Sequence, residues 1–159
     1  MDTNLLKYLE ENGVEYITHL HEAVFTVDEA YKVDKDLPGL HTKNLFLTDK
    51  CDKFWLVCMD AYKRLNIKQL EKDLGCKKLS FASPELLKEK LNLTPGSVSL
   101  FGMIYADESV TLVLEKAVAE AEITGFHPNI NTATLEIDQE NLQKFVKSLR
   151  NEVIVVEMV

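Results

Sequence analysis

Apolar positions recur along the chain in two rhythms, one helical and one alternating. Leu5, Leu6 and Leu9 share a face of a helix that Asp2 or Thr3 can cap, and Asn12-Gly13 supplies its left-handed stop. Val14 to His19 alternates as a strand does. Thr26-Val27-Asp28-Glu29 has the form of a capping box, so a second helix should begin there and end before the turn at Leu37-Pro38-Gly39. Lys43 to Thr48 and Phe54 to Met59 are apolar runs split by Asp49-Lys50-Cys51-Asp52-Lys53, the pattern of a hairpin of two buried strands. A helix is predicted from Asn66 to Leu74, with Gly75 closing it, and another from Ser83-Pro84-Glu85 to about Asn92, before the turn Thr94-Pro95-Gly96-Ser97. Short apolar runs then follow at Val98 to Tyr105, Val110 to Leu114, Ala117 to Ile123 and Thr132 to Ile137. A capped helix from Asp138 to about Arg150 and a final strand from Val153 complete the pattern.

Hairpins interleaved with crossover helices predict an α+β fold: a mixed, mostly antiparallel, curled or barrel-like sheet flanked by helices. With 159 residues, 46% apolar, and no linker or repeat, residues 1–159 read as a single domain that folds without staples. The cysteines Cys51, Cys58 and Cys76 form no C-x-x-C pair and read as reduced cytosolic thiols. The acidic, amphipathic start and the lack of a long apolar run predict a soluble, cytoplasmic protein with no membrane contact.

Net charge is −8, which argues against indiscriminate nucleic-acid binding and against DNA. The distribution is uneven, however, because residues 61–91 are +4 and the remainder −12. On pattern alone the basic segment is a solvated helical face before it is a docking surface.

Candidate chemistry is sparse. No nucleophile elbow, phosphate-binding loop or dinucleotide fingerprint is present. His19 and His21 would project from one strand face and with His41 could supply three nitrogens to a metal. That spacing is weak evidence, no acidic partner stands near in sequence, and neither metal nor cofactor is expected. Lys43, directly before Asn44-Leu45-Phe46-Leu47, is either a snorkelling strand-end lysine or an anion clamp at a pocket mouth, since a cation entering a buried strand needs a partner or an opening. Thr124-Gly125-Phe126-His127-Pro128, followed by Asn131-Thr132-Ala133-Thr134, combines a close-approach glycine, a histidine before proline and a run of small polar residues able to line a narrow cavity.

At these residues a resemblance emerges. Phe25-Thr26-Val27-Asp28-Glu29-Ala30, Leu37 to Leu47, Leu79 to Ser83, Pro95 to Val98 and Phe126-His127-Pro128 with Asn131 to Thr134 together resemble the YbaK-type aminoacyl-tRNA deacylases, and most closely their free-standing prolyl-tRNA editing branch. The resemblance implies hydrolysis of alanine mischarged onto proline tRNA, with prolyl-tRNA synthetase as a candidate partner. It maps the catalytic positions to Lys43 (terminal phosphate), Gly125 (backbone at the reacting carbonyl) and His127 (amino acid or ribose). It maps substrate contacts to His21, Thr26, Val27, Asn44, Ser99, Phe126, Pro128, Asn131 and Thr132. The chain departs from the family pattern at Glu22, Leu100 and Tyr105-Ala106. Cys-tRNA(Pro) deacylation, the chemistry of the sister branch, and a noncatalytic aminoacyl- or proline-sensing module are the rival readings.

Overall fold

The computed structural model describes residues 2–49 and 51–157. The elements run α1 (Thr3–Glu11), β1 (Ile17–Leu20), α2 (Val27–Asp34), β2 (Leu40–Thr48), β3 (Phe54–Asp60), α3 (Ile67–Leu74), β4 (Ser80–Phe81) and α4 (Pro84–Leu91). A 3-10 helix (Leu100–Tyr105) leads to β5 (Val110–Glu115), α5 (Lys116–Glu120), β6 (Ile123–Phe126), β7 (Ala133–Asp138), α6 (Gln139–Ser148) and β8 (Val153–Val156).

Helix ends follow local chemistry. Asp2, Thr26, Asn66, Ser83 and Asp138 each accept backbone N–H groups of the first turn, and Gly75 and Asn92 close α3 and α4 in the left-handed conformation. The capping box at Thr26 differs in one respect: Glu29 Oε1 meets the Thr26 hydroxyl at 3.2 Å. The Val98 to Tyr105 run folds largely as the 3-10 helix, initiated by the Ser99 hydroxyl accepting from Phe101 N–H. The Ala117 to Ile123 run divides between α5 and β6.

The eight strands form one curled, unclosed sheet in the order β1-β7-β6-β2-β3-β5-β8, with β4 on β2. Four ladders are antiparallel (β1–β7, β2–β3, β2–β4, β6–β7) and three parallel (β2–β6, β3–β5, β5–β8), so the sheet is evenly mixed. Both faces are covered. A larger core gathers Phe46, Phe101, Phe126 and Phe145 with α1, α4 and α6, and a smaller one packs Leu47, Trp55 and Val57 against Leu70 of α3. No helix among the described residues is long and apolar enough to cross a membrane.

One topological detail creates a site. β6 pairs with β2 only at Leu40 and His41, and β4 takes the same edge only at Leu47 and Thr48. Between them Thr42 to Phe46 have β3 on one side and no strand on the other among the described residues. The sheet splays there because the two short partners on that edge, β6 and β4, pair with its ends and leave its middle uncovered.

Candidate active site

A cavity of about 330 Å³ opens at this splay. Its wall brings together Thr26 from the start of α2, Lys43 and Asn44 from β2, Gly125 and Phe126 from β6, and His127 just beyond it. Lys43 lies on the strand face of Leu45 and Leu47 but beyond the packed smaller core. It forms no ion pair among the described residues, so its ammonium is available to an anion. Asn44 is only 8% exposed, and its Oδ1 is buried without a hydrogen-bond partner. An unsatisfied acceptor of this kind is costly unless a ligand or water meets it.

Gly125 forms the floor. A Cβ there would lie 3.2 Å from both His41 Nδ1 and Thr134 Cγ2, and the Thr42 hydroxyl donates to the Gly125 carbonyl at 2.7 Å. The absence of a side chain, rather than an unusual backbone angle, is what the position requires.

His127 is anchored from both sides. Phe126 before it is buried and packs edge-on against Phe101 at 5.6 Å, while the Ser99 hydroxyl donates to the His127 carbonyl. Nδ1 faces the Ala133 carbonyl at 3.1 Å, and because a carbonyl only accepts, the proton sits on Nδ1 and Nε2 of the neutral ring keeps a lone pair. Burial pushes the His127 pKa below the ordinary histidine value, partly opposed by the bond to Ala133. His21 stands edge-on to His127 with ring centroids 6.1 Å apart. Its Nδ1 donates to the Glu22 carbonyl at 2.8 Å, leaving Nε2 to accept from the Thr134 hydroxyl at 2.9 Å, and Thr134 lines the cavity.

Asp34 and Tyr62 line the cavity although neither was among the expected site residues, and His41, weighed from the sequence only as one of three nitrogens for a metal, lines it with them. His41 Nε2 lies 3.2 Å from the Leu37 carbonyl and Nδ1 3.4 Å from Asp34 Oδ1, while the Tyr62 hydroxyl donates to Asp34 Oδ2 at 2.7 Å. The Tyr62 loop is itself pinned by buried Glu115, which accepts from Asp60 N–H at 2.9 Å and from Lys63 Nζ at 2.7 Å. Asp34 and His41 flank the Leu37-Pro38-Gly39 turn, so an acid ending a helix opposite a histidine opening a strand was the available clue.

The remaining predicted residues fall elsewhere. Ser99 is fully buried behind His127, and Pro128 is buried beyond it, neither lining the cavity. The Thr132 carbonyl accepts from His21 N–H at 3.0 Å, and Asn131 Nδ2 donates to the Val24 carbonyl at 3.5 Å, so both hold the segment leading into α2. The side chain of Val27 lies outside the described residues. The three histidines weighed as a metal set go to separate partners, His19 to Glu136 at 3.0 Å, His21 to Thr134 and His41 to Asp34. Acidic partners for His19 and His41 do exist, supplied across the sheet and across a turn rather than nearby in a motif.

Comparison with known proteins adds the family. Residues 21–145 match the model of the aminoacyl-tRNA editing domain, and that span contains the whole cavity wall. The prolyl-tRNA editing protein ProX of Acetoanaerobium sticklandii is 35% identical over 94% of this chain and 93% of its own. The prolyl-tRNA synthetase associated domain-containing protein 1 of Bos taurus is 36% identical over 86% of this chain and 82% of its own. In fold, the chain matches a solved structure described as a candidate trans-editing enzyme for prolyl tRNA synthetase, with a TM-score of 0.76 at 15% identity, covering 99% of this chain and 98% of that one. A full-length relative above 30% identity and a family match across the cavity lead to one conclusion: this chain belongs to the aminoacyl-tRNA editing domain family.

Proposed function

We propose that the protein is a trans-editing deacylase that hydrolyses the ester joining alanine to proline tRNA, releasing alanine and free tRNA, without metal or cofactor. The proline-tRNA half of this reading is supported by the relatives named for prolyl-tRNA editing. The observation that carries the chemistry is the convergence, at one splay of the sheet, of a lysine with no ion pair among the described residues, a side-chain-free strand position and a neutral histidine with an open Nε2.

The ester is already activated, so positioning and electrostatics suffice without a protein nucleophile. Lys43 neutralises the terminal phosphate. Gly125 keeps the floor flat so that the reacting carbonyl approaches the strand. Nε2 of His127 accepts a hydrogen from the substrate's amino group or ribose hydroxyl, which fixes the ester, and the unpaired Asn44 Oδ1 accepts a second. Water enters from the open mouth, assisted by the substrate's own 2′-hydroxyl.

A synthetase pocket that holds proline cannot strongly reject the smaller alanine, and a second, narrower site removes what slips through. His41 and Thr134 close tightly around Gly125, which suits a methyl group better than a pyrrolidine ring. The test is deacylation by purified protein of proline tRNA charged separately with alanine, cysteine and proline. Selective loss of alanine is expected; preferential loss of cysteine assigns the sister activity, and survival of all three leaves a sensing module.

A further inference from the structure

We propose that Phe25, Tyr31 and Tyr62 form a nucleobase-stacking platform at the cavity mouth, which receives the unpaired terminal bases of an RNA acceptor end. The inference rests on the deacylase reading and adds to it a subsite for the part of the substrate outside the cavity.

Phe25, Tyr31 and Tyr62 are 75%, 59% and 49% exposed, and the other exposed large apolar residues (Ile17, Leu20, Phe81 and Val155) lie off the cavity wall. Phe25 and Tyr62 line the cavity itself, and Tyr31 stands edge-on to Tyr62 with centroids 6.2 Å apart. Exposed aromatic surface gathered at one opening marks a binding surface, whereas single exposed apolar residues do not.

Tyr62 is the fixed member of the platform. The Tyr62 hydroxyl is fixed on Asp34, its backbone N–H donates to Asp60 Oδ1 at 2.9 Å, and Phe25 lies beside Gly96, 4.0 Å from where a Cβ would stand. A rigid aromatic face loses little entropy on stacking.

The substrate's covalent structure supplies the occupant. If the ester carbonyl sits over Gly125 and the phosphate meets Lys43, the base on the same ribose cannot follow the amino acid inward and must lie at the mouth. Every base has a π-face, so aromatic side chains bind unpaired nucleotides regardless of their identity. Charge plays little part, because α2 carries Asp28, Glu29 and Asp34 against Lys32.

The experiment is titration of the full chain into a short RNA hairpin ending in unpaired CC followed by 2-aminopurine, whose fluorescence is quenched by stacking. Saturable quenching is expected with the wild type. Phe25→Leu and Tyr31→Leu should each weaken binding about tenfold, within the range of one lost base–aromatic contact, while Phe25→Tyr and Tyr31→Phe retain it. On the alanylated hairpin the loss should appear in KM rather than kcat. No quenching by the wild type, or equal quenching by the leucine variants, overturns the platform, and a protein partner would then be sought for this surface. Quenching without deacylation of any aminoacyl-tRNA would refute the deacylase reading and leave the platform standing.

Discussion

Gly125→Ala tests the cavity floor where His41 and Thr134 approach it. The added methyl would approach His41 Nδ1 and Thr134 Cγ2 at 3.2 Å, closer than side chains ordinarily pack, with His41 Cε1 at an ordinary contact distance of 3.6 Å. Both neighbours are side chains and must yield by a few tenths of an ångström. His41 is held by Leu37 and Asp34, and Thr134 by His21, so neither yields freely. Overpacking of this kind costs about 1–3 kcal/mol, and the low end applies because no backbone atom is struck. At roughly 2–4 °C per kcal/mol for a chain of this size, the melting temperature should fall by about 2–4 °C. Catalysis should suffer more, because the methyl occupies the space assigned to the reacting carbonyl, and displacement near 1 Å costs on the order of 100-fold. The assay pairs thermal melting with single-turnover deacylation of Ala-tRNA(Pro). A folded Gly125→Ala protein with wild-type kcat/KM would refute the assignment of the carbonyl to this floor, whereas global unfolding would show the contact to be structural first.

Lys43→Ala should cut kcat/KM by at least tenfold with little change in melting, since the side chain forms no ion pair among the described residues, and Lys43→Arg should restore only part because a planar fork does not replace a compact ammonium. Ser99→Ala should cost about 1–3 kcal/mol by leaving a buried carbonyl and N–H unpaired, and it should lower activity in parallel by loosening His127, as chemical denaturation and kinetics together will show. His127 has a folded-state pKa below that of the unfolded chain, so the folded state binds fewer protons between the two values. Stability should therefore hold at neutral pH and decline as pH falls below about 6.5, the unfolded value, activity should fall only at the lower folded-state value, and His127→Gln should remove that limb from the pH–rate profile. Replacing Lys68, Lys72, Lys77 and Lys78 with Gln should flatten the salt dependence of tRNA binding if the basic segment contacts the acceptor stem, and an unchanged slope would make it a solvated face.

Much of the architecture was legible in the sequence because its signals are local. The caps at Thr26, Asn66, Ser83 and Asp138 and the stops at Gly75 and Asn92 depend on side chains within one helical turn, and the hairpin of Lys43 to Thr48 with Phe54 to Met59 depends on adjacent strands. Lys43, Gly125 and His127 stood out because each is an uncommon choice where it occurs, a cation in an apolar strand or a glycine and histidine before proline. Tertiary structure alone decided what surrounds them. The parallel pairing of His41 with Gly125, 84 positions apart, opens the edge of β2. The Asp34–His41–Tyr62 network assembles across a turn and a loop, Ser99 turns inward to the His127 carbonyl, and acids meet His19 and His41 from other elements. None of these contacts has a periodicity or a motif, because a hydrogen bond between distant segments is selected by the packing of the whole sheet and leaves no local pattern in the chain.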